Sequence, residues 1–230
     1  LTFIYRIIAG HFNPAIASGT PTGIPGTQLF AALLRYDDKW RPQPYLAKSW
    51  SISDDGLSVT VKLRENAVFH DGTPITSEDV AFSIETIKAN HPFKTMYAPV
   101  TKVSTPDKLT AIIHLSAPHP AIELAMSSQL GVIIPKHIYG EGNIRKNPRN
   151  SQNIVGSGPF KLKEFKPGEY IIMERFDDFF LKGRPYLDRI VFKKMAESTS
   201  RIIALETGKA DMTAFASDPQ ELTRLKKSKH

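Results

Sequence analysis

Few side chains in this sequence are spaced to do chemistry. His70 and Asp71 are adjacent, and a carboxylate beside an imidazole can fix the tautomer of a general base. Neighbours in a chain rarely face one another, however, and Asp71-Gly72-Thr73-Pro74 has the composition of a turn. Gly156-Ser157-Gly158 sets a hydroxyl between two glycines. A nucleophile elbow needs Gly-x-Ser-x-Gly and a phosphate loop needs Gly-Lys-Ser/Thr, so a tight turn opening a strand at Phe160 is the simpler reading. The carboxylate pairs Asp177-Asp178 and Glu164/Glu169 lie at turns or strand ends among basic neighbours. Their spacing does not define the paired geometry of glycoside hydrolysis. The chain has no cysteine, which removes thiolate metal sites, cysteine nucleophiles and disulfide frameworks together. His114 and His119 fall on different elements, and no group of histidines and carboxylates has metal-ligand spacing. The expectation is a binding module without catalytic residues, metal or cofactor.

The elements that would carry such a site belong to a folded chain. At 230 residues, 41% hydrophobic and 23% charged, the composition is that of a soluble globular protein of one to two domains. No apolar run approaches the roughly 18 residues of a membrane span. The formal charge of +7 makes nucleic acid the first partner to weigh. Of that charge, +3 sits in Pro219 to His230, where Arg224, Lys226, Lys227 and Lys229 face Glu221 alone. The cluster has no interleaved aromatic, so it reads as a solvated helix end and no nucleic-acid partner is expected. Leu1 to Ile8 lacks the pattern of a signal peptide. Either a leader is removed before Leu1 or the segment is a cut piece.

Along the chain, strands and helices alternate without repeats. Thr2 to Ile8 reads as a strand. Gly10 to Gly26 holds four glycines and three prolines, a long loop of the kind that is more often functional than incidental. Thr27 can cap a helix over Gln28 to Leu34. Trp50 and Ile52, then Leu57, Val59, Val61 and Leu63, alternate with polar residues around Asp54-Asp55-Gly56, which is a hairpin with one buried face. Thr76-Ser77-Glu78-Asp79 offers a capping box to a helix carrying Val80, Ile84 and Ile87. A second hairpin is expected over Val100 to Leu115, turning at Thr105 to Lys108, and a third joins Phe160–Phe165 to Tyr170–Arg175. Pro120 precedes a short helix over Ala121 to Met126. Asn143 to Asn153 reads as a polar surface loop. Arg189 to Met195 is a strand, Ser198 caps a helix ending at Gly208, and Ala210 to Phe215 is a last strand. Hairpins mixed with crossover helices predict an α/β fold with a mixed sheet.

The segment Tyr45 to Arg64 resembles the signature of family 5 bacterial extracellular solute-binding proteins. It continues through Phe69-His-Asp-Gly-Thr-Pro74 and Ser77-Glu-Asp-Val-Ala-Phe-Ser83. Further blocks follow in the family's order: Ile134-Pro-Lys-His-Ile-Tyr139, Val155-Gly-Ser-Gly-Pro-Phe160, Glu174-Arg175 with Asp178-Phe-Phe180, Gly183-Arg-Pro-Tyr186 and Gly208-Lys-Ala-Asp211. The resemblance implies the first, periplasmic-binding-protein-like lobe of a hinged two-lobed clamp about twice this length. Within that lobe it implies a core subdomain of residues 1–34 and 154–230 and an inserted outer subdomain of residues 35–153, with the second lobe lying beyond this chain.

Function follows from the same resemblance. It implies a monomeric periplasmic protein that captures peptides and delivers them to the permease subunits of an ABC importer, touching the inner membrane only through that permease. Binding of an opine, oligosaccharide or nickel chelate by the same clamp is the alternative, and a peptide or glycan hydrolase is a more distant one. An extended peptide can be held by main-chain groups as an added strand. The resemblance puts Ser18, Gly19, Thr20, Pro21 and Thr22 along the cleft, after Asn13-Pro14, where relatives often have Asp-Pro-His and this chain has Ala15. Tyr97 matches a region where relatives place an aromatic over the ligand, with core packing as its competing reading.

Overall fold

The first strand, β1 (Thr2–Tyr5), organises the chain, and its sequence shows why. Phe3, Ile4 and Tyr5 are all buried, as expected of a strand covered on both faces. It runs parallel between β10 (Arg189–Lys194) and β11 (Met212–Thr213). Beyond β10, the antiparallel hairpin of β9 (Tyr170–Arg175) and β8 (Phe160–Lys166) completes a five-stranded mixed sheet in the order β11-β1-β10-β9-β8. The computed structural model describes residues 1–214 and 219–228. The fold is the mixed α/β class that the sequence predicted. β1 stops short of Ile8, because Arg6 and Ile7 turn out to solvent.

Each face of β1 has its own partner. Phe3 and Tyr5 stack at 4.7 Å and meet Phe192 of β10 at 5.7 Å. On the other face Ile4 packs with Ala204 and Ala210, and Ala204 belongs to α5 (Ser198–Glu206). The last helix, α6 (Pro219–Leu225), is tied to α5 by Arg224 and Glu206 at 2.5 Å. This is where most of the basic cluster lies; Lys229 and His230 fall outside the described residues, as does Phe215 of the last predicted strand.

The first helix departs from the sequence reading. α1 covers Thr20–Leu29, not Gln28 to Leu34. Its two glycines and two prolines make it a poor helix by propensity, and packing holds it instead. A Cβ on Gly26 would stand 2.4 Å from Pro14 and 2.8 Å from the Phe12 carbonyl. After Leu29 the chain is extended, with Phe30 to Leu34 all nearly inaccessible, and it enters a two-stranded ribbon of β2 (Leu34–Tyr36) and β3 (Pro42–Pro44).

A second sheet, wholly antiparallel, has the order β4-β5-β7-β6. Its strands are β4 (Ala47–Ile52), β5 (Ser58–Leu63), β6 (Val100–Asp107) and β7 (Thr110–Leu115). Val59, Val61 and Leu63 point inward as their alternation required. β4 is an edge strand with Ile52 46% exposed, so alternation overstates its buried face. The second hairpin turns at Lys108-Leu109, two residues later than predicted. There Asp107 accepts from the Leu109 N–H at 2.8 Å, closing a tighter turn than one around Pro106. Against this sheet lies α2 (Ser77–Asn90), opened by the predicted capping box and burying Val80, Ile84 and Ile87. Two short helices, α3 (Ile122–Ala125) and α4 (Lys136–Tyr139), lie in the connection from β7 to β8. One continuous apolar core runs from Phe3 and Phe192 through Leu29 and Phe30 to Val59 and Ile113, joining the two sheets.

Candidate ligand-binding site

The glycine- and proline-rich stretch before α1 is held by a buried amide network. Asn13 is 0% exposed; its Oδ1 accepts from the Ala15 N–H at 3.0 Å and its Nδ2 donates to Asn150 Oδ1 at 2.9 Å. Asn150 in turn donates to the Ile144 carbonyl at 2.6 Å, and its own carbonyl accepts from the Phe12 N–H at 2.8 Å. Residues 143–153, expected to be a surface loop, therefore carry the anchor of this segment. Asn150 is buried because its amide can satisfy partners on both sides. Ala15, where relatives often have His, is fully buried.

From that anchor the chain reaches Gly19, whose φ of 107° suits glycine. The Gly19 carbonyl accepts from the Thr22 and Gly23 N–H groups at 3.2 and 2.7 Å and so starts α1. No side chain caps this helix, and its first turn holds no acidic residue. Ser18, Thr20 and Pro21 are half-buried, Gly19 is exposed and Thr22 is buried.

A cavity of about 350 Å³ opens beside this helix start, lined by Tyr5, Arg6, Ile7, Thr20, Pro21, Arg201 and Ala214. It lies at the carboxyl ends of the parallel strands β1 and β11, where open α/β sheets hold their ligands. Two of the six residues singled out from the sequence, Thr20 and Pro21, line it; Ser18, Gly19 and Thr22 flank them in the chain. Tyr97 is elsewhere. It is 1% exposed, and its hydroxyl donates to the Ala125 carbonyl at 2.5 Å, which is the core-packing alternative.

The sequence reading did not single out Tyr5, Arg6 or Arg201. Arg201 is 8% exposed and its Nη1 donates to the carbonyls of Met195 and Ala196 at 2.9 and 2.6 Å, tying α5 to the chain leaving β10. Tyr5 has a buried hydroxyl without a hydrogen-bond partner among the described residues, and burial raises its pKa. The break in the apolar run at Arg6 was the one available signal. Two cavities of about 390 and 380 Å³, sharing Arg35 and Tyr45, lie at the carboxyl end of α1, away from these strand ends.

The residues that invited a catalytic reading are structural. The Gly156 N–H donates to His70 Nδ1 at 3.1 Å, so the ring proton is on Nε2, which donates to the Gly158 carbonyl at 3.0 Å. Burial pulls the His70 pKa down to about 4. Asp71 pairs with His137 at 2.8 Å and not with His70. Gly156-Ser157-Gly158 is more than a tight turn. The Gly158 N–H donates to the Leu29 carbonyl at 2.8 Å, and a Cβ on Gly156 would lie 1.9 Å from that oxygen. Ser157 Oγ accepts from the Ala31 N–H at 3.0 Å and donates to the Ile133 carbonyl at 2.9 Å. The motif clips the end of α1 to two other parts of the chain. Among the described residues no group of three or more histidines and carboxylates is gathered as a metal site.

A mixed-sheet α/β fold with a cavity at the carboxyl ends of its parallel strands is the architecture of the periplasmic-type binding proteins. Residues 41–230 match the family model of the bacterial extracellular solute-binding proteins, family 5, middle region. The chain belongs to that family. It is 31% identical over 188 residues to the oligopeptide-binding protein AppA of Bacillus subtilis, covering 78% of this chain and 34% of AppA. It is 29% identical over 224 residues to the glutathione-binding protein GsiB of Shigella flexneri, covering 95% and 42%. Among solved structures, AppA in complex with a nonapeptide superposes with a TM-score of 0.89 at 26% identity, over 100% of this chain and 46% of AppA. NikZ from Campylobacter jejuni in complex with Ni(L-His) gives 0.88 at 29% identity, over 100% and 45%. The chain thus spans less than half the length of these relatives.

Proposed function

We propose that this chain is the first lobe of a periplasmic binding protein that captures peptides and hands them to the permease of an ABC importer. It performs no chemistry on them and acts as a monomer. The observation that carries this reading is the placement of Thr20 and Pro21 in a cavity at the carboxyl ends of β1 and β11. Exposed main chain there, around Gly19, suits a ligand held through its backbone. The second lobe would close on that edge and complete the pocket. The lobe divides into a core of residues 1–34 and 154–230 and an outer part of residues 35–153. The five-stranded sheet falls in the first and the four-stranded sheet in the second, which supports the division.

Native mass spectrometry of the gently purified full-length protein tests the reading. Adducts that fragment as short peptides are the expected result. A single non-peptide mass would overturn the peptide assignment in favour of a solute like the nickel–histidine chelate bound to NikZ or the agropinic acid bound to AgaA of Agrobacterium tumefaciens.

A further inference from the structure

The strand-end cavity has a chemical bias that main-chain capture does not require. Two guanidinium groups, Arg6 and Arg201, line it, and among the described residues no carboxylate does. Arg201 is committed in part to the Met195 and Ala196 carbonyls. Arg6 is exposed and has no hydrogen-bond or ion-pair partner among the described residues, whereas seven other basic side chains form ion pairs there. The third polar contributor is the start of α1, where Thr20 lines the cavity. That helix end has neither a side-chain cap nor an acidic residue in its first turn, so its partial positive charge is not offset locally. Tyr5, 3% exposed, contributes to the same lining. Positive charge converges on one cavity, and among the described residues no carboxylate offsets it.

We propose that this cavity takes a carboxylate of the bound ligand, with Arg6 as the residue that pairs with it. The assignment rests on the peptide-capture reading and sharpens it, because it makes this half of the cleft select for charge as well as for extended backbone. A guanidinium can meet a carboxylate through two parallel N–H groups, so Arg6 contributes orientation as well as attraction. The carboxylate can belong to the ligand's C-terminus or to an acidic side chain.

Titration calorimetry on the full-length protein separates these sources with three peptides: Ala-Ala-Ala, Ala-Ala-Ala-amide and Ala-Glu-Ala-amide. Arg6→Gln is expected to weaken binding of a carboxylate-bearing peptide by about tenfold or more and to leave binding of the carboxylate-free Ala-Ala-Ala-amide unchanged. Loss confined to Ala-Glu-Ala-amide assigns the cavity to a side chain, and loss confined to Ala-Ala-Ala assigns it to the terminus. Arg6→Lys keeps the charge but not the paired N–H groups, so its affinity for a carboxylate-bearing peptide should fall between those of the unaltered protein and Arg6→Gln. Equal effects on all three peptides, or none, would overturn the carboxylate assignment while leaving peptide capture standing. If none of the three binds the unaltered protein, the peptide reading falls and the assignment falls with it.

Discussion

Removing one oxygen from the Gly156-Ser157-Gly158 clip should cost far more than the size of the group suggests. Ser157 is 0% exposed, and its hydroxyl is the partner of both the Ala31 N–H at 3.0 Å and the Ile133 carbonyl at 2.9 Å. Ser157→Ala deletes both bonds at once and leaves two buried backbone groups unpaired. Each such group costs about 1–3 kcal/mol, and partial relaxation brings the sum to about 2–4 kcal/mol. For a domain of this size that corresponds to a fall in Tm of roughly 5–15 °C. Equilibrium unfolding followed by tryptophan fluorescence reads the change as a lower midpoint at unchanged slope. Hydrogen exchange gives a second readout, since the Ala31 amide should lose protection before its neighbours do. A destabilisation below about 0.5 kcal/mol with Ala31 still protected would refute the reasoning, because it would mean neither backbone group depends on the hydroxyl.

Three further outcomes are expected. His70 is held at about 4 in the folded chain against an ordinary 6.5, so the unfolded chain takes up the proton first. Stability should then fall by about 3 kcal/mol as pH drops from 6.5 to 4. His70→Gln should remove that part of the slope, and parallel Tm–pH curves for the two proteins would contradict it. Tyr97→Phe should lower stability by about 1 kcal/mol through loss of the bond to Ala125 and leave ligand affinity of the full-length protein unchanged; a tenfold loss of affinity would place Tyr97 in the ligand site. Asn13→Asp sets a carboxylate oxygen against Asn150 Oδ1 where an N–H now donates, at a cost of about 1–3 kcal/mol near neutral pH. Burial raises the pKa of that new acid, so stability should recover as pH falls through it and the protonated form can donate. Urea midpoints at pH 7 and pH 4 measure the difference.

What could be read from the sequence was what local periodicity encodes. The hairpin around Gly56 and the helix opened at Thr76 were legible because each has one buried face and a turn or cap with its own chemistry. α1 was not, because Thr20 to Leu29 holds two prolines and two glycines and owes its shape to contacts such as Gly26 against Pro14. The cavity-lining residues Thr20 and Pro21 were singled out through family resemblance, since no periodicity marks them. Their neighbours Arg6 and Arg201 belong to opposite ends of the chain and meet only because β1 lies in the sheet beside β10 and β11. Tyr97 could be placed only by seeing its hydroxyl against Ala125. His70 shows the converse case: an imidazole next to a carboxylate suggested a dyad, and the fold turned the two side chains to different partners.

The position of β1 has a consequence for how the protein is made. Its Thr2 N–H bonds to the Asp211 carboxylate, 209 positions along the chain, and both of its strand partners lie beyond residue 188. At roughly 5–20 residues per second, a ribosome needs on the order of 10–40 s to deliver them. Throughout that interval the first strand has nothing to pair with in its own sheet, while the β4–β7 sheet can already assemble. Closure of the lobe is therefore a late, slow event governed by long loops.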